Sequence, residues 1–153
     1  MAVLPFRAAK TDAKAPRPGA ILQGYSIEVM PRTAAKIADF RALLPAGTRV
    51  YIAHLEGTPF DEMLGCAKRL SGEGFAVMPH VPARIIADRA TLDNWLNRYA
   101  SEAGVTQALV LAGGPKTPAG EFDSSMQLLE TGLFDRHGFT RLHVAGHPEG
   151  NRD

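Results

Sequence analysis

Glu28 lies inside SIEVMP (residues 26–31), a stretch that is otherwise almost wholly apolar. A carboxylate in such surroundings is expensive to bury unless it is paired, and burial raises its pKa. An acid that keeps its proton near neutral pH can act as a general acid. A plainer reading stays open, an outward-facing or salt-bridged glutamate, because successive strand residues point to opposite faces. Five histidines follow: His54, His80, His137, His143 and His147. No two of them stand at i, i+4 on a predicted helix and Cys66 is the sole cysteine, so the spacing predicts no metal site. His80 and His147 stand beside prolines at predicted strand ends and read as ligand contacts. His54 is left open between a structural and a substrate-binding role, and His137 and His143 read as surface or structural residues. The segment LAGGPKTPAG (111–120) brings glycines close together after an apolar run. It has neither GxGxxG nor a P-loop, so it is a ligand-approach loop or simply a sharp turn.

These groups have to be positioned by the elements around them. Strand-like runs at 25–30, 48–55, 75–81, 106–113 and 139–146 alternate with helical patterns at 33–44, 59–70, 91–103 and 121–136. Thr33, Thr58 and Thr91 are the predicted caps, and the fourth strand reads as covered on both faces. Short βα connections in alternation predict an α/β fold with a parallel sheet. Either a doubly wound sheet or part of a closed barrel satisfies that pattern. In both, ligands gather at the carboxyl ends of the strands. Glu28, His54, Glu56, His80, Gly113, Gly114, His147 and Asn151 all fall at such ends.

The 153 residues suit one domain, with residues 1–20 a flexible lead-in of Ala, Lys and Pro and 21–153 the folded part. Seventeen Lys and Arg against sixteen Asp and Glu leave a net charge of +1, which offers no field for nucleic acid. No apolar run is long enough to span a bilayer, and no secretory leader is read, so a cytoplasmic setting is expected.

Four strand-end segments, in order, resemble the methylenetetrahydrofolate reductase family: SIEVMP (26–31), MPHV (78–81), LVLAGG (109–114) and VAGHPEGN (144–151). The resemblance implies a (β/α)8 barrel of which this chain covers about the first five βα units, from residue 24 onward. It also implies FAD on the carboxyl face, reduced by NAD(P)H, and hydride transfer to 5,10-methylenetetrahydrofolate, with Glu28 as the acid that opens the folate ring. His80, Gly113, Gly114, His147 and Asn151 then fall at flavin-contacting positions, and His54 near the folate. Gly114 stands where the family has an aspartate. That departure leaves room for a flavin-free relative that moves methyl groups on tetrahydrofolate. Strands six to eight of the barrel are not matched, which points to a second chain or another copy completing it, or to a half-barrel that binds a partner without turnover.

Overall fold

A computed structural model of the chain describes residues 22–145. The lead-in at 1–20, His147 and Asn151 lie outside the described residues. Five strands, β1 (Ser26–Val29), β2 (Arg49–Ile52), β3 (Ala76–Pro82), β4 (Gln107–Leu111) and β5 (Arg141–Val144), form one sheet in the order β1-β2-β3-β4-β5. Every neighbouring pair is parallel. A doubly wound sheet reverses its strand order at a switch point. No reversal occurs among the described residues.

The register gives each strand two unlike sides. Ile27, Val50 and Val77 are cross-strand partners, and Val50, Ile52, Val77, Val81, Ala108 and Val110 are buried under helices. The covering layer is α2 (Phe60–Gly72) and α3 (Arg89–Ala103), which contribute Met63, Ala67, Leu70, Leu92, Leu96 and Tyr99 to the same core. The residues between them, Glu28, Tyr51, Met78, His80, Leu109 and His143, are on the other side. That side is concave. On a flat sheet β2 and β5 lie about 14 Å apart and their side chains stand parallel. Yet Tyr51 on β2 meets His143 on β5 at 2.7 Å, so the sheet must curl.

The fourth strand is not covered on both faces as its composition predicts. Ala108 and Val110 are buried, but Leu109 and Leu111 are only half-buried, because they point into the concavity, away from the helices.

Two predicted helices are broken. The pattern at 33–44 yields one turn, α1 (Pro31–Ala34), and a 3₁₀ turn at Phe40–Ala42. Thr33 is the third helical residue rather than the cap. Its hydroxyl accepts from the Met30 amide at 3.1 Å and donates to the Met30 carbonyl at 2.9 Å. The reason for the early stop sits on α2. The Arg69 guanidinium donates to the carbonyls of Ala34, Ile37 and Ala38, which takes the acceptors a longer helix would use, and pairs with Glu73 at 2.7 Å.

The run 121–136 divides into α4 (Ser125–Glu130) and α5 (Leu133–Arg136) at Gly132, whose φ of 69° no helix accepts. Ser124, with Gln127, forms the box that starts α4. Thr91 does not cap α3. Asp88 does, accepting from the Thr91 amide at 2.7 Å, so the helix starts two residues earlier. Pro59, not Thr58, precedes α2, with Asp61 and Glu62 in its first turn. Cys66 is buried in the core as expected, and burial pushes its thiol up to about 11.

Candidate functional site

Strand parity puts Glu28 on the concave face. Ile27 and Val29 pack toward the helices, so the residue between them points the other way. Its Oε2 is 3.1 Å from Nε2 of His80, two strands away on β3. Ala53, just after β2, lines the same cavity, and its methyl leaves room for the two side chains to meet over β2. The approach is out of line for a hydrogen bond, so Nε2 of His80 keeps unused bonding capacity although it is buried. Burial lowers the His80 pKa, against the opposing pull of the Glu28 carboxylate. His80 is therefore a neutral imidazole at neutral pH. The apolar enclosure read around Glu28 from the sequence is not built among the described residues. Its side chain is 57% exposed, because its flanking apolar residues Ile27 and Val29 point the opposite way.

His54 is buried, and its Nε2 lies 3.0 Å from the Thr58 carbonyl. A carbonyl can only accept, so Nε2 carries the proton and Nδ1 is a lone pair. That lone pair is buried and has no partner among the described residues. Burial, the largest influence, holds the His54 pKa down. The ring is fixed by an aromatic stack, 5.2 Å from Trp95, which itself lies flat on Phe60 at 4.7 Å. Trp95 is thus half-buried in a stack that supports a strand-end histidine.

A cavity of about 300 Å³ gathers Glu28, His54, Glu56, His80, Gly113 and Gly114. Every strand-end residue predicted from the first four strands reaches it. The two glycines differ in kind. Gly113 has a φ of 96°, and a Cβ there would stand 3.0 Å from Pro82, so glycine is required by conformation and by space. At Gly114 a Cβ would meet open space.

The loop after β4 is held mostly by protein. Ala112 accepts from the Arg84 amide and Arg84 from Ala119, both at 2.8 Å, and Ala87 accepts from Glu121 at 3.2 Å. Gly120 sits so close that a Cβ would run into the Ala87 carbonyl. Gly120→Ala is accordingly expected to destabilise the fold by about 1–3 kcal/mol, whereas Gly114→Ala stays within about 0.5 kcal/mol. Urea unfolding midpoints of the two variants provide the check.

Two residues of the concave face were not singled out by sequence. Tyr51 stands in register with Glu28, and its hydroxyl is 2.7 Å from Nδ1 of His143. His143 thus lies half-buried on the concave side, bonded to Tyr51 across two intervening strands. Leu142 packs toward the helices, which turns His143 inward. The signal was available in the alternation of RLHV. A second cavity, about 430 Å³, is lined by Glu28, Tyr51, Leu109, His143 and Val144. His137 fits its structural reading, bonded to Asp93 on α3 at 2.7 Å.

Two carboxylates, Glu28 and Glu56, line the strand-end cavity, with no Lys or Arg in its lining among the described residues. The nearby α2 terminus is itself acidic. The pyrophosphate of FAD needs cations or a free helix N-terminus, so the described residues do not fit that part of the cofactor. No group of three or more metal-ligating side chains stands together, and no helix is long and apolar enough to cross a membrane, among the described residues. Compared with models of known protein families, the chain matches none.

Proposed function

We propose that the chain is the first five βα units of a (β/α)8 barrel of the methylenetetrahydrofolate reductase type, acting on a tetrahydrofolate derivative with Glu28 as proton donor. The observation that carries this reading is the Glu28 carboxyl on the concave face, 3.1 Å from His80 at the mouth of the strand-end cavity. Monotonic strand order, the curl of the sheet and the four ordered strand-end segments support it.

In this reading the pterin ring lies over the concave face, its N–H groups toward the Glu56 carboxylate. The ring covers Glu28, shields it from water and brings its carboxyl against the folate nitrogens. Glu28 then passes its proton to the bridging nitrogen of the folate as the carbon–nitrogen bond to it breaks, leaving an iminium. His80, as a neutral imidazole 3.1 Å away, stands beside the carboxyl without competing as a cation. A second reading, tetrahydrofolate-dependent methyl transfer without flavin, is favoured by the absence of a cation in the cavity lining and by Gly114.

Titration calorimetry with tetrahydrofolate, and gel filtration after incubation with FAD, test both. Saturable tetrahydrofolate binding with retained flavin supports the reductase, and folate binding without flavin supports the second reading. Absence of tetrahydrofolate binding overturns both.

A further inference from the structure

We infer that Tyr51 and His143 form a second acid–base site on the concave face, one that acts on a ligand presenting a carbonyl oxygen or an imine nitrogen. Three observations carry it. The phenol and the imidazole meet at 2.7 Å although their strands are separated by two others, so neither is held there by chain proximity. Both line a cavity of about 430 Å³ large enough for a small ligand, with Glu28 on its rim. Both are only half-buried, so the pair opens onto that cavity rather than filling the core.

The chemistry follows from the atoms. With Nδ1 as the lone pair, Tyr51 donates to His143, and the imidazole can take the phenol proton when the tyrosine oxygen attacks or binds an electrophile. With both ring nitrogens protonated, as the imidazolium, the direction reverses and a neutral imidazole is left at the end. Nδ1–H donates to the tyrosine oxygen while the phenol O–H protonates the ligand, and the proton lost by Tyr51 is replaced from His143. One proton moves to the ligand and one leaves the imidazole, so charge is conserved at each stage. Glu28 and His80 form the other pair of the same face, and the Tyr51 ring stands edge-on to His80 at 6.3 Å. A ligand bridging the two cavities would therefore be met by a proton donor on each side.

This inference is independent of the folate reading, and its test needs no folate. Benzenesulfonyl fluoride on the intact chain forms an oxygen–sulfur bond at a reactive phenol. The sulfur–fluorine bond breaks, fluoride leaves and the phenol proton goes to the base. Tyr25, exposed and with no imidazole beside it among the described residues, is the internal reference, and Tyr99, fully buried, reports unfolding. Peptide mass spectrometry is expected to find Tyr51 labelled about tenfold or more faster than Tyr25, a fraction of the 10² to 10⁴ that a positioned base supplies. His143→Gln is expected to abolish that preference without labelling Tyr99. Equal labelling of Tyr51 and Tyr25, or a preference that survives His143→Gln, overturns the inference. Should His143→Gln expose Tyr99, the nitrogen-15 spectrum of wild-type histidines decides. A His143 Nδ1 that responds to Tyr51→Phe supports the pair, and one that does not overturns it.

Discussion

Under the proposed folate chemistry, Glu28→Gln is expected to lower turnover by about 10²- to 10⁴-fold, the range a positioned general acid contributes. The amide keeps the size of the side chain and cannot deliver a proton to a leaving nitrogen. Because the carboxyl is 57% exposed and makes no hydrogen bond that the fold relies on, the unfolding midpoint should stay within about 0.5 kcal/mol of wild type. The loss belongs in kcat, with KM little changed, since the proton is transferred only in the transition state. Glu56→Gln is the matched control. It removes a second carboxylate from the same cavity, one with no histidine partner, and is expected to affect binding more than rate. Equal rates for Glu28→Gln and wild type, in a variant that still binds folate, would remove Glu28 from the chemistry.

Leu96→Ala carries the largest expected change in stability, about 2–5 kcal/mol, because Leu96 is fully buried between α3 and the sheet and the neighbouring elements cannot collapse into the space left. For a domain of this size that corresponds to a fall in Tm on the order of 10 °C. The comparison that gives it meaning is Leu109→Ala on the concave side of β4. Leu109 is half-buried, so its truncation removes less contact and leaves no closed void, and about 1 kcal/mol is expected. Differential scanning calorimetry of both variants measures the contrast. A Leu109 variant as damaged as the Leu96 one would mean that the concave face is packed, not open.

Much of the arrangement could be read from residue order, for a physical reason. Alternating strand and helix patterns with short links force a parallel sheet, and apolar runs mark strand bodies, so the strand-end positions of Glu28, His54, His80 and Gly113 followed directly. Helix length was harder. Nothing local to residues 33–44 announces that Arg69, 31 to 35 positions further along, will occupy the carbonyls of Ala34, Ile37 and Ala38. Gly132 did mark the break between α4 and α5, but the surrounding apolar spacing read through it. The Tyr51–His143 contact was invisible because it depends on curvature, which joins strands that are not neighbours. The environment of Glu28 was misjudged for a related reason. Neighbours in sequence along a strand are on opposite sides of it, so an apolar flank says little about what a side chain touches.

The Arg69 fork has a mechanical meaning for the residue at the mouth of the cavity. Pro31, only three positions after Glu28, begins the turn that Arg69 grips from α2, and Glu73 steadies both that guanidinium and, through the Phe40 amide, the far end of the same loop. The aim of the carboxyl is therefore braced from behind the sheet by a lever that never enters the bowl. Slackening that brace would blur the pointing of Glu28 while every atom lining the cavity kept its identity.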